Sequence, residues 1–227
     1  MKKIIKDIRY YGPINNNKSL TDNTYLIPTS YNFIGIRYSL KLREFEYYLD
    51  DYDHLYIYLD STSNLNESTM QKKDNYHPWF RRVNYGYSIE KMNNLNDTTK
   101  LEEINKITRN VLIKYCCDSD EDVKKVENVY NKIKEKGELL DILYKILKSG
   151  KKEVKFILNI LDNGEVNVFA ECEELYPTRI LVKKFDNMSI VNCALGSIKI
   201  KNNMFIIIPK KNLDSEYYKL KEIKIVF

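Results

Sequence analysis

A chain of 227 residues can bury a sizeable core without a disulfide or metal staple, and it fits one large domain or two small ones packed closely. With 43% hydrophobic and 30% charged residues it has an ordinary ordered profile, which excludes an intrinsically disordered chain. The net charge of +5 comes from basic pairs scattered among acids, such as Lys2-Lys3, Lys72-Lys73 and Lys183-Lys184, and not from the concentrated stripe of a dedicated nucleic-acid binder.

The opening "MKKIIKDIRYYG" is basic like a signal peptide, but Lys6, Asp7 and Arg9 interrupt any apolar stretch. No run approaches the roughly 18 apolar residues of a membrane span, so the expected location is cytoplasmic. Residues 13–32 are turn-rich and read as a long surface loop. In "FIGIRYSLKLR", Ile34, Ile36, Tyr38, Leu40 and Leu42 alternate with Arg37, Ser39, Lys41 and Arg43, the pattern of a half-buried strand. Residues 54–61 repeat it: Leu55, Ile57 and Leu59 on one face, His54, Tyr56, Tyr58 and Asp60 on the other. After a polar loop over 62–78, "WFRRVNYGYSI" gives a third strand, with Trp79, Val83, Tyr85, Tyr87 and Ile89 on one face and Arg81 interrupting it. An antiparallel sheet with one dry face accounts for all three.

Near residue 95 the period changes to three and four. Leu101, Ile104, Ile107, Val111, Leu112 and Tyr115 predict a helix over about 97–117, with Asp97 or Thr98 as its cap. Val123, Val126, Tyr130 and Ile133 predict a second over about 121–136, stopped by Gly137. The stretch 138–149 fits either period, and a strand is favoured because a hairpin follows at once. There Val154, Phe156, Leu158 and Ile160 alternate before Asp162-Asn163-Gly164, and Val166, Val168 and Ala170 return. A further hairpin turns at Asn202-Asn203, and "EIKIVF" closes the chain as a strand. The expected fold is α+β, mainly antiparallel sheet with two central helices. It is read as a single domain over 1–227, with possible sub-units at 1–94 (β-rich), 95–137 (helical) and 138–227 (β-rich).

Chemistry is sparse. Cys116, Cys117, Cys172 and Cys193 have no zinc spacing and read as free thiols. The first two end a predicted helix, where the dipole disfavours a thiolate. His77, between a tyrosine and a proline, reads as a surface side chain. There is no phosphate-binding glycine loop. No catalytic residue, cofactor or metal is therefore assigned, and a non-enzymatic protein is expected. The densest polar cluster is Asp50, Asp51, Asp53 and His54, whose oxygen and imidazole groups could serve a metal-dependent enzyme. No second segment supplies matching ligands, and a polar turn before a strand explains the aspartates more simply. Arg81 and Arg82 among aromatics offer a nucleic-acid-binding alternative.

The succession of "DDYDHLYIYLD", "WFRRVNYGYS", "LEEINKITRNVLIKY" and "KKEVKFILNILDNGEVNVFAEC" resembles the immunity proteins of bacterial polymorphic-toxin and contact-dependent-inhibition systems, across roughly residues 33–208. The resemblance implies a small cytoplasmic α+β protein that binds one cognate toxin domain and blocks it. It transfers no functional residues. The residues themselves offer Asp50, Asp51, Asp53, His54, Tyr56, Tyr58 and Asp60 as a partner-binding surface of aromatic anchors and charges.

Overall fold

The computed structural model describes residues 1–12, 31–60, 63–172, 176–201 and 204–226, without the side chains of residues 89 and 176–178. Helices and several mostly antiparallel sheets make up the expected α+β class. The chain divides into two compact units, Met1–Gly137 and Glu138–Phe227. The expected loop over 13–32 falls almost wholly outside the described residues, as does the Asn202-Asn203 turn.

In the first unit, β1 (Lys3–Ile4) pairs antiparallel with β3 (Tyr48–Leu49). The main sheet corrects the antiparallel expectation for this half. Strands β2 (Asp7–Tyr11), β4 (His54–Asp60) and β6 (Phe80–Gly86) run parallel, and only the short β5 (Ser68–Met70), on the far side of β6, is antiparallel. Parallel neighbours need a crossover, and that requirement explains the largest difference from the sequence reading. "FIGIRYSLKLR" is not a strand; it lies within helix α1 (Asn32–Glu44), between β2 and β4.

Helix α1 packs against β2 and also against α3 (Asp97–Cys116) and α4 (Asp120–Lys136). Phe33, Ile34, Tyr38, Leu40 and Leu42 are buried, and so are Arg37, Ser39 and Lys41. A helix covered nearly all round has no polar stripe, so its 3.6-residue signal fades and a chance alternation imitates a strand. Its charges are accommodated inside: Lys41 pairs with Glu44 at 2.6 Å, and the Arg37 guanidinium lies 4.7 Å from the Phe33 ring centroid. Gly35 lets the helix approach β2, because an added Cβ would overlap the Ile8 carbonyl.

The two central helices match expectation to within a residue at each end. Their caps are Asn96, which accepts from the Thr99 N–H at 2.9 Å and displaces the expected Asp97 or Thr98, and Ser119, which accepts from the Asp122 N–H. Gly137 ends α4 at φ +51°. Between β6 and α3 lies α2 (Ile89–Asn94), so Ile89 belongs to a helix and not to the third strand. Trp79 also leaves the expected apolar face: it is 42% exposed, whereas Arg81 is buried beside Val83 and Tyr85.

In the second unit, β7 (Ile142–Ser149), β8 (Lys152–Ile160), β9 (Val166–Cys172) and β10 (Tyr176–Phe185) form an antiparallel meander. The ambiguous stretch 138–149 is thus a strand from Ile142 onward, after a short 3-10 turn over Gly137–Leu139. A bulge at Tyr144 shifts its alternation, turning Leu143 and Ile146 outward and setting Lys145 opposite Phe156. The turn at Asp162-Asn163-Gly164 needs a single left-handed residue, Gly164 at φ +84°. Helix α5 (Met188–Ala194) follows, then a sheet of β11 (Ser197–Lys201), β12 (Met204–Ile208) and β13 (Ile223–Val226), with α6 (Leu213–Tyr217) before the last strand.

Gly35→Ala is expected to destabilise the protein by about 3 kcal/mol, the upper end for a forced core insertion, because the obstacle is backbone and cannot rotate away. Chemical denaturation of the two proteins measures it.

Candidate functional site

Residues in register on parallel strands point to the same side of the sheet, so the register defines two faces. One carries Ile8, Tyr10, Leu55, Ile57, Leu59 and Val83, all buried, and receives the helices. The other carries three rows: Asp7, His54 and Phe80; Arg9, Tyr56 and Arg82; Tyr11, Tyr58 and Asn84. Of these side chains Arg9 is exposed and the others are half-buried.

The rings of this face are stacked on one another. Tyr58 lies nearly parallel to Tyr11, with centroids 4.7 Å apart, and the Arg82 guanidinium sits 3.8 Å from its centroid. Because Tyr11 belongs to β2 and Arg82 to β6, the two occupy opposite sides of the central Tyr58 ring. Tyr56 is arranged alike, stacked on Phe80 at 4.7 Å with Arg9 at 6.0 Å. His77 and Trp79 extend this second column beyond Phe80. Arg9 is anchored to Asp7 at 2.5 Å, and the Arg82 Nε–H donates to Asn84 Oδ1 at 2.8 Å. Each cation is therefore tethered by a neighbour on its own strand, and the Tyr58 ring has both faces covered. Partial burial raises the Tyr56 and Tyr58 pKa values, so both hydroxyls remain protonated donors at neutral pH.

The aspartates of the 50–53 turn sit elsewhere. Asp51 pairs with Lys73 at 2.5 Å and with buried Arg81, which also donates to the Phe80 carbonyl. Asp53 is buried, accepts from Lys6 at 2.7 Å and from His54 Nδ1 at 2.5 Å, and its own N–H bonds the Trp79 carbonyl. Asp50 is exposed and its carbonyl accepts from the Lys3 N–H. Asp60 ends β4 and accepts from Ser63 Oγ at 2.8 Å. Of the seven partner-surface residues, His54, Tyr56, Tyr58 and, at the strand's end, Asp60 thus lie on one side of β4, while Asp50, Asp51 and Asp53 form the turn that leads into it. Sequence reasoning missed Arg9 and Tyr11, whose signal was the alternation in "DIRYY", and Phe80, which had been placed in no face. It paired Arg81 with Arg82, but successive strand residues point oppositely and only Arg82 reaches this face.

Among the described residues no group of three or more His, Cys, Asp or Glu side chains could hold a metal ion. At the end of α3, burial pushes the Cys116 thiol up to about 12, which keeps it protonated at neutral pH. Nor, among the described residues, is any helix long and apolar enough to cross a membrane.

Burial works to raise the Asp53 pKa, but the hydrogen bonds from Lys6 and His54 outweigh it and hold the carboxyl below its ordinary value of 3.8. A depressed carboxylate stabilises the fold above the unfolded-state pKa, and that contribution is lost as pH falls through the lower folded value. Asp53→Asn should therefore lower stability at pH 7, with the gap from the parent closing below about pH 4. Melting curves between pH 2 and 7 would show the two converge.

No family model, curated protein or solved structure matches this chain.

Proposed function

We propose that the chain is a binding protein that docks a protein partner on the Arg9, Tyr11, Tyr56, Tyr58, Phe80 and Arg82 face of its first sheet. Following the resemblance in the sequence, the partner is a bacterial toxin domain that the complex neutralises. The observation that supports this most is the pair of interlocked ring-and-guanidinium columns. Tyrosine, tryptophan and arginine are the residues that most often dominate interface energies. Here their rotamers are already fixed by stacking, so docking loses little side-chain entropy. Outward edges, hydroxyls and guanidinium groups suit the mixed polar and apolar chemistry of a protein surface.

The nucleic-acid reading gains one observation, that Arg82 lies among aromatics on a sheet face. Single-stranded binders, however, offer free ring faces on which bases stack. The central Tyr58 ring is covered by Tyr11 and Arg82 and the Tyr56 ring is stacked on Phe80, which favours a protein partner.

Co-expression with the toxic domain encoded by the neighbouring gene should restore growth and give a complex on size exclusion. Tyr58→Ala and Arg82→Ala should each weaken that complex about tenfold or more, the usual loss at an interface hot spot, while the isolated variants stay folded by circular dichroism. Equal killing with and without the chain, and no complex, would overturn the toxin assignment. Tight, steeply salt-dependent binding of a single-stranded oligonucleotide would overturn the protein-partner assignment.

A further inference from the structure

The meander of the second unit carries apolar side chains on both of its faces. On one, Val154, Phe156 and Leu158 of β8 and Val166, Val168 and Ala170 of β9 are buried, and α5 packs against β9 and β10. A solvated opposite face calls for polar residues at the alternate positions. Lys155, Asn159, Asn167 and Glu171 meet that requirement, but Ile157 and Phe169 between them do not.

The register makes these two the middle of a longer row. Leu143 on β7 pairs with Ile157, Ile157 with Phe169, and Phe169 with Leu181 on β10. One apolar side chain from every strand therefore stands on the same side of the sheet. Leu143 is 41% exposed and Leu181 53%, while Ile157 and Phe169 are half-buried. A leucine exposed at each end of the row gains little from the sheet itself and leaves a continuous apolar strip in water, which soluble chains keep small. Arg179 lies across the strip, with its guanidinium 3.8 Å from the Phe169 ring centroid, but it bonds Asp141 Oδ1 at 2.8 Å, so its charge is already matched within the face.

The charges that flank the row have opposite signs at mirrored positions across the sheet. On one side of the row, Lys155 on β8 stands beside Glu171 on β9. On the other side, Asn159 and Asn167 form the centre, with Lys184 on the β10 edge and Asp141, bonded to Asn159 at 2.8 Å, on the β7 edge.

We propose that this face joins two copies of the chain into a symmetric dimer, sheet against sheet. Stacked sheets keep their strands within about 30° of one another, so the two-fold axis runs either along the strands or across them. An axis along the strands lays β8 on β9 of the second copy and β7 on its β10. Ile157 then packs on Phe169 of the second copy and Leu143 on its Leu181, while Lys155 meets its Glu171 and Asp141 its Lys184. An axis across the strands would instead set Lys155 and Glu171 against asparagines, so charge complementarity selects the first arrangement. Four strands about 4.8 Å apart and about eight residues long, at about 3.3 Å per residue, present a face on the order of 500 Å². Two copies thus bury about 1,000 Å² in total, the lower limit of a specific interface, which sets a weak, reversible dimer and not an obligate one.

Sedimentation velocity of the full chain at increasing concentration should show a reversible equilibrium between a monomer of 27.1 kDa and a species of twice that mass. Leu143→Asp and Leu181→Asp should each raise the dimer dissociation constant about a hundredfold, because every substitution occurs twice in the dimer and a charge sealed without a partner costs about tenfold or more at each site. Both leucines are exposed in the single copy, so the melting temperature of dilute protein should hardly change. Lys155→Glu should weaken the dimer about tenfold, and combining it with Glu171→Lys should restore the parent value, since the swap re-creates both contacts between copies. A single species of monomer mass at every concentration would overturn the proposal, and so would a dimer indifferent to both leucine substitutions. A loss in Lys155→Glu that the double swap leaves unrepaired would overturn the arrangement along the strands.

Discussion

The first unit depends on tyrosine hydroxyls buried against helix α3. Tyr10 on β2 shares a 2.7 Å hydrogen bond with Thr108, Tyr38 on α1 donates to Asn105 Oδ1 at 2.5 Å, and Tyr47 donates to the Cys116 carbonyl at 2.5 Å. Without these bonds the Tyr10 hydroxyl, Asn105 Oδ1 and the Cys116 carbonyl would be polar groups sealed in an apolar interior, each costing on the order of 1–3 kcal/mol, whereas Thr108 also donates to the Ile104 carbonyl. A tyrosine supplies both what packs and what satisfies, since its ring fills the core and its hydroxyl reaches the helix. Because the three donors come from β2, α1 and the segment before β3, the bonds also fix where α3 lies over the sheet. Burial raises the pKa of Tyr10 and of Tyr47, so both remain neutral donors.

The same residue type serves the opposite face of the sheet by different physics. Tyr56 is held by stacking on Phe80, and Tyr58 by stacking on Tyr11 with the Arg82 guanidinium close over its ring. Offset rings and cations over rings each contribute on the order of 1 kcal/mol at such half-buried sites. Position relative to the helices decides the role: toward them a tyrosine is core, away from them it is available to a partner. The turn Asp50–Asp53 supports this face indirectly. Asp53 orients the His54 ring from below, and Asp51 neutralises an arginine buried on the core side of β6.

Much of this was legible in the sequence. The helices at 97–116 and 120–136 are amphipathic, capped and stopped, so local signals and tertiary structure agree. The strand at 54–60 and the hairpin through Gly164 are legible for the same reason, each having one wet and one dry face. Helix α1 was not legible, because burial on several sides removed the polar stripe that identifies a helix. Arg81 misled in the opposite direction: a charge on the core face breaks the alternation, and its partners, Asp51, the Phe80 carbonyl and the Tyr52 ring, are brought to it by the turn and by its own strand.

The sequence by itself determined the α+β class, the two central helices, the β8–β9 hairpin and which residues of β4 share a face, since all of these follow from periods of two or 3.6 and from local caps and turns. Tertiary structure alone decided that β2, β4 and β6 run parallel, that α1 is the crossover between the first two, and that Arg9, Tyr11, Phe80 and Arg82 join Tyr56 and Tyr58 in one surface. The physical reason is distance along the chain. Periodicity records which side of its own element a residue occupies, whereas register between strands separated by more than 20 residues is set by the packing of the core they enclose.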